Sequence, residues 1–225
     1  MSEVIYELAD EVAVLRLSRG EANALSPAMR RDLATALDRA AEDDGARAVV
    51  LTGAGDTFCS GVDLSEFDGP LAEPWIEALT RKIEDHPKPV VAALDGAALG
   101  AGFELALEFM LSGRPLDAGE PRLAKLFTAL TEDAPLAAAL ATARRFAQAP
   151  GFARAREIDR GFSDPAAYRA AVTDVAARLR PGDSAEADIL RCVEAAQLLP
   201  YDQGVQFEQA AFEACLARPG ARAMR

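Results

Sequence analysis

Histidine and cysteine are scarce in this chain: one histidine, His86, and three scattered cysteines, Cys59, Cys192 and Cys215, in 225 residues. That excludes a disulfide framework and a Cys/His metal cluster, both of which need several such residues at short spacing. It points to a reducing compartment. Basic residues are also in deficit, with 24 Lys and Arg against 36 Asp and Glu, for a formal charge of −12. A surface of that sign disfavours nucleic acid and anionic membranes as partners, and any polyanionic ligand must find local basic contacts. No run approaches the roughly 18 apolar residues of a membrane span. The start, Met1-Ser2-Glu3-Val4, has no basic region followed by an apolar core, so the expected location is cytoplasmic.

What the chain does have is core material: half its residues are hydrophobic and 27% are charged, the balance of a soluble globular protein. Val4 to Leu8 and Val12 to Leu17 read as a strand pair joined by the polar turn Ala9-Asp10-Glu11. Ser26 is placed to cap a helix with Pro27 in its first position. Met29, Leu33, Leu37 and Ala40 then recur at helical spacing up to an acidic stop at Glu42-Asp43-Asp44-Gly45. Val49 to Gly53 and Pro89 to Leu94 are short apolar runs with β-branched residues and read as fully buried strands. Trp75, Leu79 and Ile83, four apart, place a helix between them. Strand and helix alternate, so the fold class is α/β. Beyond Ala134 the apolar spacing is helical only, in segments near 136–147, 165–179, 185–198 and 202–216.

Two glycine-bearing segments carry the chemistry. Gly96-Ala97-Ala98-Leu99-Gly100-Ala101-Gly102-Phe103-Glu104-Leu105-Ala106 joins the second buried strand to a helix, with unpaired N–H groups near Gly100 and Ala101 and a carboxylate in the first turn. A helix start of that kind can hold an oxyanion beside a proton-transfer group. A dinucleotide fingerprint needs a third glycine at position 105, where Leu105 stands. Taken alone, the segment fits tight helix-on-strand packing at least as well. The other segment, Thr57-Phe58-Cys59-Ser60-Gly61-Val62-Asp63-Leu64, follows the first buried strand.

Together, in this order, the two segments resemble the enoyl-CoA hydratase/isomerase family, the crotonases, whose loop reads F-(C/A)-(S/A)-G-x-D-L and whose helix start reads G-A-x-x-G-x-G-x-E-L-A. The resemblance takes in Arg19-Gly20-Glu21-Ala22-Asn23-Ala24-Leu25 and Leu111 to Ala118. From Leu199 to Arg225 the chain looks like the end of the hydratase half of multifunctional fatty-acid oxidation enzymes. The resemblance implies a crotonase-like spiral of ββα units over residues 1–130, shortened after Leu107, and a helical C-terminal region over 131–225.

It also implies an acyl-CoA thioester as substrate, with coenzyme A entering only as part of that substrate and no separate cofactor. The thioester oxygen is expected to rest on the backbone N–H groups of Ser60 and Ala101, with Glu104 moving the proton. Ala22, Ala24, Ser60, Gly61, Val62, Asp63, Leu64, Gly100 and Ala101 are the expected substrate contacts. Arg19, Arg30, Lys88 and Arg114 are candidates for the phosphates. Members of the family form trimers, so a homo-oligomer is expected.

One departure follows the helix start. The family carries a second glutamate in a P-E pair on a long segment there, whereas Leu107-Glu108 here runs straight into Phe109-Met110-Leu111-Ser112-Gly113-Arg114. With two glutamates, hydration of a trans-2-enoyl-CoA in fatty-acid β-oxidation is the expected reaction. With one, isomerisation of the double bond is chemically easier, and a silent acyl-CoA-binding or structural role is the rival from another class. His86 reads as a cation at a helix C-terminus, Cys59 as a small packing residue, and Asp63 as a cap on its own loop.

Overall fold

A computed structural model describes residues 2–68, 72–95, 97–98, 119, 127–131, 134–152, 154–157, 163–179 and 184–218. The chain divides into two compact units, Met1–Glu104 with Asp117–Phe152, and Leu105–Leu116 with Ala153–Arg225.

The first unit is built on a hairpin. Strand β1 (Val4–Ala9) runs antiparallel to β2 (Val12–Leu17), with Ala9 opposite Val12. Asp10 and Glu11 both take left-handed backbone, φ 48° and 63°. A two-residue turn with positive φ at both positions matches the right-handed twist of the strands it joins.

The chain then crosses over through helix α1 (Pro27–Glu42), so β3 (Ala48–Gly53) lies parallel to β2, and β5 (Val90–Ala93) lies parallel to β3. The sheet order is β1-β2-β3-β5. A separate parallel pair joins β4 (Thr57–Cys59) to β6 (Ala97–Ala98).

Strand alternation sorts the core into two faces. Ala13, Leu15, Leu17, Val49 and Leu51 pack against Met29, Leu33, Leu37 and Ala40 of α1. Val12, Ala48, Val50 and Ala93 pack against Ala139 and Ala143 of α3 (Pro135–Gln148). Small side chains let α3 approach the sheet closely, and α3 therefore belongs to the sheet unit. The helical region expected from residue 131 is shared between the two units.

All six residues of β3 are buried, as its apolar run predicts. Strand β5 differs from expectation: Val90 and Val91 are half-buried, Ala92 is exposed and only Ala93 is buried. On that face the core is supplied by α1 and by α2 (Ile76–Glu84), and among the described residues nothing covers Ala92.

Serine and proline start α1 as expected. Ser26 Oγ accepts from Met29 N–H at 3.0 Å and Pro27 holds the first helical position. The far end of α1 is closed from outside, because Lys88 Nζ donates to the carbonyls of Ala40 and Asp43 at 2.7 and 2.8 Å. His86 is buried beneath it, its Nε2–H donating to the Leu37 carbonyl at 3.1 Å.

The second unit holds α4 (Pro165–Arg178), α5 (Ala185–Leu198) and α6 (Tyr201–Ala217). Asp164 caps α4 by accepting from the N–H groups of Ala166 and Ala167, and Ser184 caps α5 at Ala187. Tyr168 OH ties α4 to α5 by donating to the Val193 carbonyl at 2.6 Å.

Candidate functional site

Two loops of the first unit are laced into one surface. Ser60 N–H donates to the Ala22 carbonyl at 2.9 Å, Leu25 N–H donates to the Gly61 carbonyl at 2.8 Å, and Leu25 and Val62 form a parallel bridge. The segment entering α1 thus acts as a short strand beside the loop leaving β4.

Asn23 secures the lacing from within. It is fully buried with φ 48°, a left-handed conformation that asparagine tolerates better than most residues. Its Nδ2 donates to the carbonyls of Ala54 and Thr57 at 3.0 and 2.7 Å, and its Oδ1 accepts from Arg19 N–H at 3.0 Å. Three of its four hydrogen-bonding positions are thereby spent on backbone. Sequence reasoning did not single Asn23 out. A polar amide between two alanines ahead of a helix cap was the available signal, but nothing local shows where that amide points.

The loop's backbone donors can be assigned one by one. The Ser60 N–H, expected to face the ligand, is occupied by the Ala22 carbonyl, so it is not the donor this loop presents. Gly61 N–H lies 3.3 Å from Cys59 Sγ, and Gly61 has φ 92°, a region that side chains strain to adopt. Val62 N–H has no hydrogen-bond partner among the described residues. The next position, Asp63, turns back on its own loop. Its Oδ1 accepts from Ser65 N–H at 3.1 Å and Ser65 Oγ at 2.7 Å, and its Oδ2 lies 2.9 Å from Arg19 Nη2. Those Ser65 hydrogen bonds, and after them the Arg19 guanidinium, hold the Asp63 carboxyl below the usual carboxylate range. Asp63 is a cap, as its position predicts. Leu64 is 78% exposed. Burial pushes the Cys59 thiol up, and its side chain packs into the core.

Ala22 is exposed and Ala24 half-buried beside this loop. Their carbonyls already accept one hydrogen bond each, from Ser60 N–H and from Ser26 N–H at 2.8 Å. Of the basic candidates, Arg30 is buried and ion-paired to Glu66, Lys88 caps α1, and Arg19 is paired to Glu3 and Asp63. Arg30 and Lys88 therefore serve the fold. Gly100, Ala101, Glu104 and Arg114 lie outside the described residues. The approach to them is described: β4 and β6 are parallel, with Thr57 opposite Ala97 and Cys59 opposite Ala98, so both glycine-bearing segments leave neighbouring strands at the same edge.

Residues 7–109 match the family model for enoyl-CoA hydratase/isomerase. Over these residues the chain is similar to that family. It is 47% identical over 103 residues to a peroxisomal bifunctional enzyme of Danio rerio, a match covering 45% of this chain and 14% of the relative. It is 46% identical over 110 residues to a probable enoyl-CoA hydratase of Rhodobacter capsulatus, covering 45% of this chain and 42% of the relative. A longer match, to a peroxisomal bifunctional enzyme of Cavia porcellus, is 26% identical over 253 residues and takes in 91% of this chain and 35% of the relative.

The chain thus spans less than half the length of each of these relatives. That long alignment has more positions than this chain has residues, so the relative carries residues that this chain lacks. The family match itself ends at residue 109, next to the point where the sequence departs from the family's pattern. Among the described residues, no helix is long and apolar enough to cross a membrane.

Proposed function

We propose that this chain binds an acyl-CoA thioester with the carbonyl oxygen on the Val62 N–H, and that it hydrates trans-2-enoyl-CoA. The observation that carries this reading is the Val62 amide, which has no partner among the described residues, on a loop where the preceding amides of Ser60 and Gly61 are already engaged. A second donor comes from Ala101, three residues beyond Ala98. Three residues of chain span at most about 11 Å, and Ala98 pairs with Cys59, three residues before Val62. Two amides converging on one oxygen stabilise the charge that develops when a nucleophile adds to the conjugated bond or a proton leaves. Loss of one such donor raises the barrier by about 3 to 4 kcal/mol.

Glu104 is the proton-transfer group in this reading. It accepts a proton from water as oxygen adds at the β-carbon, and then gives that proton to the α-carbon of the enolate, returning to the carboxylate. Coenzyme A is part of the substrate, and the scheme needs no separate cofactor. Ala22 and Ala24 lie along the expected path of the coenzyme A arm. A homo-oligomer, as in other family members, is part of the proposal; light scattering at the monomer mass counts against it.

The residues that follow Leu107 favour a second reading. With no counterpart to the family's second glutamate, one carboxylate suffices for a proton shift along the acyl chain, which makes isomerisation the alternative outcome. The test is the full chain mixed with a short 2-enoyl-CoA. Loss of the conjugated thioester absorbance that disappears in Glu104→Gln supports hydration. Interconversion of 2- and 3-enoyl isomers without water addition supports the alternative. Binding without turnover by either route overturns both.

A further inference from the structure

Arg30 is the largest fully buried side chain among the described residues, and nothing about a helix facing a hydrophobic core calls for a guanidinium there. All of its N–H groups are engaged. Nε–H donates to the Pro74 carbonyl at 2.6 Å. Nη1 donates to the Leu25 carbonyl at 2.7 Å and to Glu66 Oε1 at 2.6 Å, and Nη2 to Glu66 Oε2 and the Ala72 carbonyl, each at 2.7 Å. The indole of Trp75 lies 5.3 Å from its centre. The Glu66 side chain is 8% exposed, so this is a bidentate ion pair with water excluded.

The partners of this side chain show what it holds. Leu25 is gripped on both sides of its backbone: its carbonyl accepts from Arg30 while its N–H donates to the Gly61 carbonyl, immediately before Val62. Glu66 lies just past Val62, in the helical turn Leu64–Asp68, and its own N–H donates to the Asp63 carbonyl at 3.0 Å. Arg30 therefore reaches the Val62 loop from upstream through Leu25 and from downstream through Glu66. We propose that Arg30 and Glu66 are positioning residues that fix the direction of the Val62 N–H, and so the place of the thioester oxygen. This rests on the reading of Val62 as the donor to that oxygen. An ion pair in so dry a site is weak evidence for stability alone, whereas a rigid five-donor fork joining three backbone carbonyls and a carboxylate is suited to holding geometry.

The test uses Arg30→Lys, which keeps the charge and loses the fork, and Glu66→Gln, the milder change should Arg30→Lys fail to fold. Amide hydrogen exchange is read first, without ligand. The proposal expects exchange at Leu25 and Ser60 to quicken by at least about tenfold while Val49, Val50 and Leu51 in β3 keep their protection, the pattern of local opening. Unchanged exchange at Leu25 and Ser60, or a parallel loss in β3, overturns it, since general destabilisation moves both sets together. A 3-ketoacyl-CoA is then added, and the near-ultraviolet band of its enolate is read. A band weakened about tenfold with affinity changed less than about threefold supports positioning, because misplaced donors cost transition-state-like charge more than binding. A band and an affinity that fall together overturn it. If the unaltered chain gives no band, the acyl-CoA reading fails while the exchange pattern still decides the clamp.

Discussion

The sheet unit and the C-terminal helices hold themselves together by different means. In the sheet unit β3 is buried at every position, α1 buries six side chains, and even the polar residues Asn23, Arg30 and His86 are inside with partners on backbone. In the second unit α4 and α6 bury no side chain, α5 buries three, and Leu198, Phe207 and Phe212 are exposed. One unit is organised by tertiary packing and the other by local helix signals such as Asp164 and Ser184. The candidate loop belongs to the sheet unit, whose tertiary packing suits a donor held in fixed orientation.

The contrast is broken most severely by emptying the first core. Leu33→Ala is expected to destabilise the sheet unit by about 2 to 5 kcal/mol, because a buried leucine leaves a cavity that the strands cannot fill, whereas Leu198→Ala in the helical unit stays within about 0.5 kcal/mol. Denaturant melts of the two variants check this, and equal losses contradict the contrast. Gly53→Ala is the next largest. A Cβ there falls 2.1 Å from the Thr57 carbonyl oxygen and 2.7 Å from Phe58 Cα, both backbone atoms. The turn into β4 must move, at a cost of about 1 to 3 kcal/mol, and the lacing at Ser60 and Leu25 moves with it. Amide exchange at those two residues reads the effect.

The smallest effect is a pH dependence that arises in the sheet unit at Tyr6 and Asp43. Burial, and then the hydrogen bond to Asp43 at 2.6 Å and the charge of that carboxylate, push the Tyr6 phenol up to about 12. The folded protein keeps this proton where the unfolded chain, near the ordinary value of about 10, has lost it. The contribution is therefore complete below about pH 10 and disappears as pH rises toward 12. Asp43 works in the opposite window. Its carboxyl is held low chiefly by the same Tyr6 hydrogen bond, so its share is present above the ordinary carboxylate range and disappears in acid. Tyr6→Phe is expected to flatten the alkaline limb of a stability-versus-pH curve, and an unchanged limb contradicts the assignment.

Much of the fold was legible because its signals are local. The Ala9-Asp10-Glu11 turn, the Ser26-Pro27 start and the four-residue spacing of Met29, Leu33 and Leu37 each fix an element without knowledge of the rest. The apolar run of β5 was less informative, because it says nothing about which helix covers Ala92. The loop motif stood out as the candidate site, but the choice of donor within it was not legible. Whether Ser60 or Val62 offers its amide depends on a carbonyl at Ala22, and sequence spacing does not show that encounter. Arg30 stood among four candidates for the phosphates although it stands three residues before Leu33, among the buried positions of α1. A charged residue in register with a core stripe is a sign of an internal partner.

The central claim is that Val62, and not Ser60, gives its N–H to the thioester oxygen. Titrating the isotope-labelled full chain with a short acyl-CoA and following backbone amide resonances tests it directly. The account predicts a large downfield displacement of the Val62 amide proton with Ser60 nearly still. Displacement of Ser60 while Val62 stays in place contradicts it.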